Sequence, residues 1–165
     1  MKRRKAIIKG SLISAIIVIV FFGVLQIYKS YFNSSDSSEY LTEKKDMPSF
    51  RYLHNEKNTD DGKSFDFAGF NGRWSLIHFN ASKGTKITIH DSSKITKGKL
   101  YIVVLDSRYK SMVIHKSVKK SNLHLTTPKS GEYIVRIVGD NSKGKFDIKI
   151  ESNPHINISY KNLME

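Results

Sequence analysis

Cysteine is absent from the 165-residue chain, which excludes disulfides, thiolate metal sites, a cysteine nucleophile and a cysteine-linked lipid anchor. Signatures of catalysis are missing as well. No G-x-S-x-G elbow, H-E-x-x-H pair or glycine-rich phosphate loop occurs. Three S-x-x-K matches (Ser107/Lys110, Ser117/Lys120 and Ser142/Lys145) fall where strands or turns are expected, whereas that motif needs a helix to bring Lys beneath Ser. The expectation is a protein without an active site, cofactor or metal of its own.

Charge is missing from one long stretch. Gly10 to Tyr28 reads GSLISAIIVIVFFGVLQIY, nineteen uncharged residues rich in Ile, Val, Leu and Phe. As a helix this segment spans about 28 Å, close to the thickness of a bilayer's hydrocarbon core. Lys2, Arg3, Arg4, Lys5 and Lys9 precede it, and only Lys29 closely follows it. The positive-inside rule then places the basic flank 1–9 in the cytoplasm and the chain after 28 outside the cell. A cleaved signal peptide would have a shorter apolar run and small residues at its end. Here Ile27, Tyr28 and Tyr31 stand at those positions, which favours a retained single-pass anchor in the cell membrane.

Residues 29–61 read as an acidic, flexible linker. They begin with Asn33-Ser34-Ser35-Asp36-Ser37-Ser38-Glu39, and from 31 to 61 they hold seven acids against four cations. Such a tether reaches about 30 Å. Phe50 and Tyr52 alternate after Pro48, a pattern that allows a short first strand at its end.

Beyond Gly62 no helical period is left, and a period of two takes over. Ile87 and Ile89 alternate with Lys86, Thr88 and His90, while Tyr133, Val135 and Ile137 share one face. Phe146, Ile148 and Ile150 alternate with Lys145, Asp147 and Lys149. Strands are expected at 64–70, 72–80, 85–90, 99–106, 111–116, 122–127, 132–139 and 144–151, with turn signals between them. This pattern gives an all-β fold, an antiparallel sandwich of jelly-roll type over 62–151. Residues 152–165 are a tail or an extra edge strand.

The stretch Gly131-Glu132-Tyr133-Ile134-Val135-Arg136-Ile137-Val138-Gly139, followed by Gly144-Lys145-Phe146-Asp147-Ile148-Lys149-Ile150, resembles the closing hairpin of bacterial pre-peptidase C-terminal domains. Gly98-Lys99-Leu100-Tyr101-Ile102-Val103-Val104 resembles their central strand. The likeness covers residues 62–151. It implies a small exported jelly-roll-like module that binds or assists without catalysing, although the acidic calcium cluster of some relatives has no counterpart in this chain.

Two kinds of residue bear on function. The first is lysine. The chain carries a net +13, and residues 62–151 hold seventeen cations against seven acids. The cations gather as Lys94, Lys97 and Lys99, as Lys116, Lys119, Lys120 and Lys129, and as Lys143, Lys145 and Lys149. Such groups either keep a surface soluble or attract an anionic polymer of the cell envelope. Nucleic acid is not expected, because no recognition motif is present. The second kind is aromatic: Trp74, the single tryptophan, is either a core anchor or an exposed platform for stacking on a sugar. Histidines 78, 90, 115 and 124 lie in or beside strands. Pairing 111–116 with 122–127 through the Ser117–Ser121 turn would put His115 and His124 diagonally on one face, about 7–8 Å apart and too far for chelation.

These observations lead to a membrane-anchored extracellular module that contacts an anionic envelope polymer or another surface protein. The alternative is an accessory or immunity-type subunit of a membrane complex.

Overall fold

The computed structural model describes Val20 and residues 37–163. The expected anchor 10–28 (Val20 aside), its flank 1–9 and residues 29–36 lie outside the described residues. Among the described residues no helix is long and apolar enough to cross a membrane. The chain divides into two compact units, Met1–Tyr40 and Leu41–Glu165. One short helix, α1 (Ser38–Thr42), begins in the first unit and ends in the second. Ser37 caps it, its Oγ accepting the Tyr40 N–H at 3.2 Å.

The second unit is antiparallel β throughout. Its strands are β1 (Tyr52–Thr59), β2 (Gly62–Ala81), β3 (Lys86–Asp91), β4 (Lys94–Asp106), β5 (Ser111–Lys116), β6 (Ser121–Thr126), β7 (Gly131–Asn153) and β8 (Ile158–Tyr160). The all-β expectation holds, and the strand positions from 62 to 151 agree within a few residues, except that β4 begins at Lys94 and runs through Lys97-Gly98, where the sequence suggests a turn before a strand at 99–106. Two more joints differ. The sequence suggests breaks at 70–72 and 139–144, but β2 and β7 run through both and pair with each other from Gly62↔Lys149 to Ala81↔Gly131. The glycine-rich stretch 139–144 is therefore a bend within one strand, and the expected closing hairpin is absent.

The reason is a shared corner. Register breaks fall at Ala68–Gly72 in β2 and at Ile95–Lys99 in β4, both against residues 139–144 of β7. Irregularities aligned across three neighbouring strands turn the whole sheet. Glycine permits the turn where space is short. Gly72 has φ of 98°, and a Cβ there would sit 1.9 Å from the Met47 carbonyl oxygen. A Cβ on Gly139 would meet the Phe70 ring at 2.3 Å.

Beyond the corner lie two arms. The first runs β1, β2 (62–68), β7 (143–153), β3, β6; the second runs β8, β2 (72–81), β7 (131–139), β4 (99–106), β5. Their inner faces share one core, sandwich fashion. Phe65, Phe67 and Phe146 come from the first arm, and Trp74, Tyr133, Val135 and Ile137 from the second, all at most 2 % exposed. Phe65 and Phe146 stack at a tilt with centroids 4.9 Å apart.

The acidic linker is shorter than expected. β1 occupies Tyr52–Thr59, and the residues before it are pinned to the second arm. Arg136, fully buried at the centre of the outer face of that arm, donates from Nη1 to the carbonyls of Leu41 (3.1 Å) and Glu43 (2.6 Å) and from Nε to Ser75 Oγ (3.0 Å). Its Nη2 pairs with Asp46 at 3.2 Å, and Asp46 also accepts the Ser75 N–H at 3.0 Å. Burial lowers the Arg136 pKa from its usual value while Asp46 pulls it back up. Arg73 adds a bond from Nε to the Lys45 carbonyl (3.1 Å) and an ion pair with Glu43 (2.8 Å). Phe50 then stacks on Phe70 at 4.3 Å. Polar composition conceals this strap because its partners are two arginines and the backbone. The other end of the domain gains β8, an edge strand on β2, within the stretch read as tail or edge strand.

Candidate functional site: a cationic trough

The outer face of the first arm carries the concentrated charge. Strand register lines up His54, Asp66, Lys145 and Lys94 in one row across β1, β2, β7 and β4, and Tyr52, Ala68, Lys143 and Lys97 in the next. Lys94 thus stands opposite Lys145, and Lys97 opposite Lys143. Two lysine groups fifty residues apart in sequence merge here into one patch. Residues of both rows, though not Lys97 or Ala68, line an open trough of about 640 Å³, its walls including Tyr52, His54, Asp66, Lys94, Lys143 and Lys145. Gly144 between them lets β4 approach closely, since a Cβ there would sit 2.1 Å from the Lys94 carbonyl oxygen. Tyr52, 39 % exposed, lies beside His54 with ring centroids 5.2 Å apart. Asn55 donates to Asp66 at 2.7 Å, and Lys145 to Asp147 at 2.9 Å, a bond that raises the Lys145 pKa. A second recess of about 340 Å³ shares Lys145 and adds Lys57 and Lys149. Lys149 lies 3.6 Å from Asp61.

Like charges directly opposite each other on a sheet destabilise it. Two such pairs side by side are poor design for stability and good design for holding repeated phosphate or carboxylate groups. The sequence reading misses Tyr52, His54, Asn55 and Lys57 because they fall in the stretch assigned to the linker. The alternation of Phe50 and Tyr52 was the available signal.

The remaining sequence candidates lie elsewhere. Lys116, Lys119 and Lys120 are exposed on β5 and the turn after it. Lys129 pairs with Asp106 at 2.9 Å; burial opposes ionisation of Asp106, but Lys129 and the N–H groups of Lys110 and Arg108 outweigh it and lower its pKa. Lys99 is half-buried opposite Asp140. Trp74 is no platform: at 1 % exposure it is a core anchor, edge-on to Phe50 at 5.9 Å.

The histidines are dispersed, and the expected hairpin between 111–116 and 122–127 does not form. β5 pairs with β4 and β6 with β3, because the chain crosses from one arm to the other at 117–120. His78 meets Glu132 at 3.0 Å, and His124 meets Thr88 at 3.1 Å. His90 meets Asn122 at 2.9 Å and Glu151 at 3.1 Å, which raises its pKa, Glu151 contributing most. His115, Ser121 and buried Asp91 come together, yet Nε2 of His115 faces both Ser121 Oγ (2.9 Å) and Asp91 Oδ2 (3.4 Å). A relay needs the carboxylate on the other ring nitrogen. Ser117 Oγ instead donates to Asp91 at 2.7 Å, a structural bond between the arms. Among the described residues no group of three or more His, Asp and Glu side chains is placed to hold a metal ion.

No protein-family model matches the chain, and no curated protein does.

Proposed function

We propose that this chain is a membrane-anchored module that binds an anionic polymer of the cell envelope outside the cell, without catalysing a reaction. The observation that carries this reading is the cross-strand opposition of lysines, Lys94 to Lys145 and Lys97 to Lys143, with Lys94, Lys143 and Lys145 lining one trough beside Tyr52. The lysines suit phosphate or carboxylate groups, and the Tyr52 ring suits the face of a sugar between them. The uncharged segment 10–28 and the five cations before it support the anchor and its orientation.

Strand order supports the finer fold reading. Residues 62–68, 143–153, 86–91 and 121–126 form one four-strand run, and 72–81, 131–139, 99–106 and 111–116 the other. That is the order of a jelly roll, an architecture found among lectin domains and the one that the pre-peptidase C-terminal resemblance implies.

The test is sedimentation of the unit Leu41–Glu165 with purified cell walls. Binding at low salt should be released by about 0.5 M NaCl, where the Debye length is only a few ångströms. Lys94→Glu with Lys143→Glu should abolish binding without lowering thermal stability. Reversal of Lys116, Lys119 and Lys120 should have a lesser effect. A domain that ignores walls at every salt concentration would overturn the proposal in favour of an accessory subunit of a membrane complex, which would fail when segment 10–28 is exchanged for an unrelated helix.

A further inference from the structure

Lysine is almost never fully enclosed, yet the side chain of Lys63 is 0 % exposed. It stands directly opposite Asn58 in the β1–β2 ladder, next to the turn that joins the strands. Its Nζ lies 2.8 Å from Asn58 Oδ1 and in contact with Glu56 Oε1. Ring faces close the site on two sides, Trp74 with its centroid 5.2 Å from Nζ and Tyr160 at 5.3 Å. Tyr160 is itself held, its hydroxyl donating to the Gly62 carbonyl at 2.8 Å and to that of Thr59. The register shift between His54 and Lys57 inserts the extra residue that precedes Asn58, with Asn55 at φ of 54°.

An ion pair explains Lys63 and Glu56 but does not explain an amide carbonyl at hydrogen-bond distance from the same nitrogen. An amine enclosed by aromatic rings, with a primary amide and a carboxyl group reaching it from the exposed strand β1, supplies the three groups that an amide exchange requires. We propose that Lys63 and Asn58 become joined by an isopeptide bond, with Glu56 carrying the protons.

The reaction needs only these three side chains. Lys63 passes a proton to the half-exposed Glu56, which leaves its enclosed amine neutral between the Trp74 and Tyr160 rings. The free amine attacks Asn58 Cγ while the Glu56 carboxyl donates a hydrogen bond to Oδ1. The tetrahedral centre then collapses, Nδ2 takes up a proton, and its bond to Cγ breaks. One C–N bond forms, one C–N bond breaks, and ammonia leaves. No oxidant, metal or activated co-reactant takes part. The product ties β1 to β2 beside the turn that joins them, and β1 is an edge strand with little buried surface that supplies Tyr52, His54 and Lys57 to the cationic surface.

Mass spectrometry of the full-length chain, purified in detergent, decides the matter. The intact protein should be lighter than its sequence by one ammonia. After denaturation, trypsin should fail to cut after Lys63 and should release residues 58–73 as a single peptide carrying that deficit. Glu56→Gln and Asn58→Ala, checked for folding by thermal melts, should show full mass and normal cleavage after Lys63. A wild-type chain of full mass, cut after Lys63, would overturn the proposal. So would an ammonia loss with Lys63 still open to trypsin, since that is a succinimide at Asn58. If Glu56→Gln still loses ammonia and resists cleavage, the role given to Glu56 is wrong.

Discussion

Trp74 illustrates how a residue's role is decided by the strand that carries it. From 72 to 79 β2 is buried or nearly so on both faces, one against the core and the other beneath the strap. Arg73 and Ser75 are therefore as enclosed as Trp74, and alternation of polarity gives no sign of which side faces in. Replacing Trp74 with Ala should cost about 3–5 kcal/mol in urea unfolding. A stacking platform would instead lose ligand binding at unchanged stability. The same contrast applies to neighbours on β7, where alternation was legible: Phe146→Ala should cost about 3–5 kcal/mol and Lys145→Ala within about 0.5 kcal/mol. His90 offers a pH test. Glu151 and Asn122 raise its folded pKa above the ordinary 6.5, so its contribution to stability is full below that value and disappears as pH rises through the folded pKa. Glu151→Gln should therefore lower the melting temperature near pH 6 and leave it unchanged at pH 9. In a proton NMR titration the same variant should bring the His90 midpoint down; an unmoved midpoint would remove the ion pair from the account.

Elements were legible where one face is wet. Strands β3, β6 and the second half of β7 alternate cleanly, and each lies where the sequence puts it. The elements missed are those whose partners are charged or backbone groups. β1 has Leu53 as its one half-buried residue, and the strap before it offers Leu41 and carbonyl oxygens. Pairing across the sheet was equally hidden, since sequence separation does not say which lysines become neighbours. The strap yields two expectations. Asp46→Ala leaves Arg136 buried without its carboxylate and should destabilise by about 3 kcal/mol, whereas Glu43→Ala, which removes a half-exposed partner of Arg73, should cost under about 1 kcal/mol. Limited trypsin digestion of the native chain should spare Arg51 and Lys57, because Arg51 N–H bonds the Ala68 carbonyl at 2.9 Å and Lys57 is paired within β1. A free tether up to residue 61 would be cut at both.

At the scale of the whole molecule, the pinned strap changes the geometry of attachment. If 10–28 spans the bilayer, only residues 29–40 separate it from Leu41, and a chain of that length extends at most about 40 Å. Orientation follows from charge. Five cations lie within the nine residues before Gly10, one lies just after Tyr28, and the next stretch is acidic. Under the proposed anchor, moving the basic flank across a membrane would cost more than moving the lone Lys29, which favours a cytoplasmic flank and an external domain. A protease added to intact protoplasts should remove a tag placed after Glu165 and spare one placed before Met1. Replacing Lys2, Arg3, Arg4 and Lys5 with Asn should weaken that asymmetry, which ties the result to the charges and not to the domain. A C-terminal tag that survives in intact protoplasts, and is lost only on lysis, would put the lysine trough in the cytoplasm and end the case for an envelope polymer as its ligand.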